Sequence, residues 1–166
     1  MQSECARVTT AAETRFRVEA PNSRPRSVPV IALGAGSERL LKELLEGRSE
    51  PSFFGVLPGD AAPAAAGSNT LRNIQTGAAK DLGDVLTSAD HVVVIVTEGE
   101  DSEMAPMISE ACKVFNVPTT ALLLGKVGAT EQTLSKAASC FRPWVSMLVV
   151  ADAEDYVGAM LNALRA

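Results

Sequence analysis

Four carboxylates crowd into the run Thr97-Glu98-Gly99-Glu100-Asp101-Ser102-Glu103, directly after the apolar stretch His91–Val96. A strand, then a loop, then a helix is where parallel α/β proteins bind ligands, and phosphate binders line that loop with glycines. Here the side chains would oppose a phosphate by roughly 1–4 kcal/mol per charge pair. No lysine or arginine lies in the run to offset them. The oxygens of Glu98, Glu100, Asp101 and Glu103 suit a hard cation, Mg²⁺ or Ca²⁺. They equally suit a basic protein partner or the chain's own arginine-rich arm. A plainer use is at the start of the following helix, with Asp101 or Ser102 as cap and Glu103 in the first turn.

Three other loops point to the same place. Gly34-Ala35-Gly36-Ser37 follows a short apolar run and begins like the dinucleotide fingerprint G-x-G-x-x-G, with Arg39 where the third glycine would stand. A tight strand-to-helix turn needs glycine in any case, so the match is weak. Asp60, 24 residues after Gly36, could serve as the acid on a ribose, and Gly67-Ser68-Asn69 forms a further polar turn. With Thr97, Gly99 and Ser102 these are the candidate contacts to a cofactor, a nucleotide being the natural class. A catalytic set is missing. His91 stands alone at a strand start beside Asp90, Ser37 lies outside any G-x-S-x-G elbow, and Cys112 and Cys140 read as core thiols with no histidine to activate them. Cys5 is the third cysteine, and three without a CxxC pair make neither a disulfide framework nor a zinc site. Trp144 reads as buried. The balance leans away from an enzyme.

The elements that must position these loops follow from hydrophobic pattern. Continuous apolar runs at 28–33, 52–57, 91–97, 117–124 and 145–150 read as strands buried on both faces, the mark of a parallel sheet covered on each side. Helical spacing between them, as in Leu40, Leu41, Leu44 and Leu45, predicts helices from Ser37 to Leu45 and over 103–115, 130–141 and 154–165. Residues 71–86 read as a weak helix broken by Gly77 and Gly83. Residues 58–68 form a small-residue loop. Strands alternating with helices imply right-handed βαβ units and a three-layer, doubly wound, mostly parallel Rossmann-like sheet of about five strands.

From Val28 onward the chain resembles the GTP-binding domain of the bacterial tubulin homologue FtsZ. Ala66-Gly67-Ser68-Asn69, followed by Gly77-Ala78-Ala79, is similar to that family's A-G-A-N-P loop and the G-(x)2-A-A start of its next helix. Leu86–Val93 resembles its L-x-G-A-D-M-V-F segment, Ala105-Pro106-Met107-Ile108 its A-P-V-I, and Val117–Leu124 its L-T-V-A-V-V strand. The resemblance implies a GTP-binding fold, and it places the signature G-G-G-T-G-T-G phosphate loop on residues 98–104. There Glu98, Glu100, Asp101 and Glu103 depart from it. The chain also ends near the start of that family's central helix, so the second domain, hydrolysis and filament assembly are not expected. What the resemblance leaves is a degenerate, non-catalytic FtsZ/tubulin-like domain that binds a partner or small ligand at the strand ends. The alternative is a nucleotide-binding protein, either a divergent GTPase or a dinucleotide-dependent enzyme.

Bulk properties set the outer limits. With 166 residues, 46% of them hydrophobic, the chain can bury one proper core. Residues 1–27 carry five arginines against three glutamates and read as a flexible basic arm, ahead of a single domain over 28–166. The net charge of −5 argues against nucleic acid as a partner. No long apolar run suggests a membrane, and no secretory leader is visible, so a cytoplasmic protein is expected. An exposed sheet edge could support a homo-oligomer.

Overall fold

The computed structural model describes residues 26–45, 52–56, 69–97, 99–100, 104–125, 131–151, 156–158 and 160–161. Among the described residues seven strands form one sheet: β1 (Val30–Ala32), β2 (Phe53–Val56), β3 (Thr70–Asn73), β4 (Ala79–Asp81), β5 (Val92–Thr97), β6 (Thr119–Leu124) and β7 (Met147–Ala151). Their order is β4-β3-β2-β1-β5-β6-β7. The five runs expected as strands are all present, and β2, β1, β5, β6 and β7 are mutually parallel. The fold is therefore α/β and Rossmann-like.

Helices α1 (Ala35–Leu45), α2 (Leu82–Thr87), α3 (Met104–Val114) and α4 (Glu131–Phe141) cover the sheet, with a 3-10 turn at Arg142–Trp144 and helical residues at 156–158, 160 and 161. Period-two alternation along β5 sends Val92, Val94 and Val96 into one core with α2, α3 and α4. Val93 and Ile95 go into the other, with Leu40 and Leu41 of α1 and with Val157 and Leu161. A strand with no polar face must be covered twice, and burying each such side chain contributes about 1.5–3 kcal/mol.

The weak helix expected over 71–86 is corrected. Residues 70–81 form an antiparallel hairpin, and only Leu82–Thr87 is helical. Turn chemistry decides it. The Asn73 side chain accepts from the N–H groups of Gln75 and Thr76, its N–H donates to the Ala78 carbonyl, and Gly77 takes φ +71°. A left-handed residue ends a helix but suits a hairpin turn. This hairpin supplies the two strands beyond the five expected. Cys140 is exposed, not a core thiol, whereas Cys112 is buried and burial pushes its thiol pKa up. Trp144 is half-buried. Among the described residues no helix is long and apolar enough to cross a membrane.

Candidate functional site

From β1 the chain winds outward to β2 on one side, and from β5 it winds to β6 and β7 on the other. Strand order therefore reverses between β1 and β5, and the crevice at their carboxyl ends is where open α/β sheets take ligands. Gly34–Ser37 leaves β1 there, and Thr97–Glu100 leaves β5 there, so the structure brings together two of the loops singled out in the sequence.

Helix α1 opens with an N-cap that has no side chain. The Gly34 carbonyl accepts the Glu38 N–H at 2.9 Å, which makes Gly34 the N-cap. Its missing side chain leaves the N–H groups of the first turn without the usual local acceptor. Ser37 is fully buried and closes only the loop itself, its Oγ accepting from the Gly34 N–H and donating to the Gly34 carbonyl, each at 3.0 Å.

Glu100 supplies what Gly34 lacks. Its Oε1 accepts from the Gly36 N–H at 2.7 Å and from the Ser37 N–H at 2.8 Å. Its Oε2 accepts from the Thr97 N–H at 2.8 Å. The turn that aims it is closed by the Glu100 N–H on the Thr97 carbonyl at 3.1 Å, with Gly99 at φ +83°. A positive φ within a tight turn favours glycine, which accounts for this glycine without any phosphate. A side chain at either of the first two loop glycines would displace a neighbour. A Cβ on Gly34 would lie 2.6 Å from the Glu100 carboxyl carbon, and one on Gly36 would lie 2.6 Å from Thr97 Oγ1. Backbone N–H groups and a helix dipole meeting an anion are the physics of a phosphate loop. Here the anion is the protein's own.

Beside this cradle, Glu38 in the first turn of α1 gathers two cations. Its Oε1 lies 2.6 Å from Arg72 Nη2 and 2.7 Å from Lys42 Nζ, and Oε2 rests over Gly55, where a Cβ would come within 2.9 Å. Burial alone would raise the Glu38 pKa. Hydrogen bonds from Lys42 and Arg72, with their charges, more than reverse this and hold it below the usual value. Thr97 Oγ1 is buried with no hydrogen-bond partner among the described residues.

The remaining sequence candidates divide cleanly. Ala35 is exposed in the first turn of α1. Asn69 accepts the Leu82 N–H at 2.9 Å just before β3, two strands from the switch point, so it serves the hairpin flank. Asp60, Gly67, Ser68, Glu98, Asp101, Ser102 and Glu103 lie outside the described residues, as does the expected cap of α3. For the cation set, only Glu100 is described, and its carboxylate faces peptide N–H groups. Among the described residues no cluster of three or more His, Cys, Asp or Glu could hold a metal. His91 bonds Thr120 Oγ1 through Nε2 at 2.9 Å, and its pKa is lowered by burial first and by the Arg26 charge second. Sequence reasoning missed Arg72 and the capping role of Glu100. A glycine at an N-cap, which needs an acceptor from elsewhere, was the available signal.

No family profile and no curated protein matches the sequence. Among solved structures, the chain is similar to translation elongation factor SelB from Methanococcus maripaludis in complex with the GTP analogue GppNHp. That likeness has 10% identity and a TM-score of 0.47, covering 85% of this chain and 34% of that one. It is also similar to phenylacrylic acid decarboxylase from Aquifex aeolicus, at 15% identity and a TM-score of 0.43, covering 85% of this chain and 97% of that one. The chain thus spans about a third of the elongation factor's length. Likeness at this level carries no ligand across to this chain.

Proposed function

We propose that this chain is a non-catalytic, Rossmann-like binding domain, a degenerate relative of the FtsZ/tubulin GTP-binding fold, whose phosphate position is closed by its own Glu100. It meets a protein partner or a small ligand at the carboxyl edge of the sheet, where the Glu38–Arg72–Lys42 group adds charge beside the closed cradle. The observation that carries this reading is the Glu100 carboxylate seated 2.7–2.8 Å from three peptide N–H groups. Three such bonds, two of them to the first turn of α1 and one to Thr97 at the end of β5, are worth about 3 kcal/mol together. A nucleotide phosphate would first have to displace the side chain, which weakens its apparent affinity roughly a hundredfold. The displaced carboxylate would then remain close to the phosphate and repel it.

The second reading, a nucleotide-binding protein, has one observation in its favour. The cradle is intact as an anion site, with glycine at both close approaches. A thermal-shift series on the full chain with GTP, ATP, NAD and NADP, each with and without Mg²⁺, separates the two. The native protein should show no rise in Tm, and Glu100→Ala should show one with at least one nucleotide. A rise in the native protein of the size expected for ligand at about 100 times Kd, roughly 2.7 kcal/mol, would overturn the binding-domain reading.

A further inference from the structure

The opposite side of the molecule holds a cavity of about 190 Å³ that the proposed function leaves unused. It lies between α2 and the starts of β1 and β2, and it exists because a six-residue helix cannot cover the flank of the sheet. Its inner wall is apolar, with Phe54 and Val85 buried at 1% and 8% exposure. Its rim is polar: Lys80 from β4, Asp84 from α2, and the hydroxyls of Ser27 and Ser88.

Lys80 and Asp84 face the same small space with opposite charge and yet do not pair with each other, and neither joins any ion pair among the described residues. The volume equals the share of about six water molecules in the liquid and falls short of the roughly 300 Å³ where drug-sized pockets begin. A ligand here must be small, carry both charges, and present an apolar body to Phe54 and Val85.

The geometry points to a second binding site at this cavity for a small zwitterion of the α-amino-acid class. Lys80 holds the carboxylate, Asp84 holds the ammonium group, and the side chain lies against Phe54 and Val85. Because both charged residues are exposed, affinity is modest, in the millimolar range.

Amide-resolved NMR on the full chain, titrated with L-leucine, tests this directly. Saturable shifts are expected at Ser27, Phe54, Lys80 and Val85. Lys80→Ala and Asp84→Asn should each weaken the apparent affinity about fivefold, as exposed charge contacts do. N-acetyl-leucine and leucine methyl ester, each lacking one charge, should bind correspondingly less well. The site is refuted if no saturable shift appears, if the double variant titrates like the native chain, or if acetate or methylamine alone produces the same shifts. Both substitutions are at exposed positions, so the variants will fold, and an unchanged spectrum away from the cavity verifies that.

Discussion

The crevice between β1 and β5 and the cavity beside α2 are built from similar materials, and they differ in who satisfies the charge. In the crevice a carboxylate meets three N–H groups of its own chain. In the cavity a lysine and an aspartate line one space and remain unpaired with each other. The difference teaches that position in the fold does not make a site available. The switch point offers peptide N–H groups at a helix start to an anion, and the chain has already used them. What is satisfied internally contributes to stability, and what is left unsatisfied is free to bind.

That contrast can be broken at its strongest point first. Gly34→Ala places a Cβ against the Glu100 carboxyl group and should evict it, with a loss of about 3–4 kcal/mol by urea denaturation. Glu100→Ala removes the same bonds without the clash and should cost about 3 kcal/mol, while Glu100→Gln, which keeps an acceptor oxygen, should recover about half. If Glu100→Ala is neutral, the crevice is not held by this side chain and the comparison fails. Arg72→Ala, which strips one partner from Glu38, should cost about 1 kcal/mol. At the cavity, Lys80→Ala and Asp84→Asn should change stability by less than about 0.5 kcal/mol, since neither charge is paired. Thr97→Val should be neutral or stabilising by up to about 1 kcal/mol, because it removes a buried hydroxyl that has no partner among the described residues.

Acid should act on the same side of the contrast. The Glu38 pKa is depressed in the fold, so its contribution is fully present above the unfolded value and is lost as pH falls through the folded one. His91 is depressed as well, so the unfolded chain takes up its proton first, and stability declines as pH falls below about 6.5. Two separate acid losses are expected in a pH series of urea midpoints. His91→Gln should abolish the upper one alone, and Arg72→Ala should shrink the lower.

The parallel sheet was legible because Val92–Val96 and Ala121–Leu124 are short, unbroken apolar runs, the pattern of a doubly covered strand. The hairpin was not. Leu71, Ile74 and Leu82 recur at intervals that mimic a helix, while the deciding information lay in Asn73 and Gly77 as turn residues. The sequence suggests one site from four loops, whereas the structure joins Gly36 and Ser37 with Thr97 and Glu100 and leaves Asn69 on the hairpin flank. The acidity around Glu100 was visible as repulsion of a phosphate. Its attraction to a helix start 63 and 64 residues earlier in the chain was not, because no local pattern encodes a cap supplied from another strand.

That separation in sequence has a kinetic meaning. A bond between residues 63 and 64 positions apart forms only once β1 and β5 lie side by side, after the loop-closure entropy of the intervening chain has been spent. The Glu100 contact is therefore expected to form after β1 and β5 have paired and to be among the first released. Its removal should leave the refolding rate nearly unchanged and steepen escape from the native state, so the Glu100 side chain sets how long a folded molecule lasts.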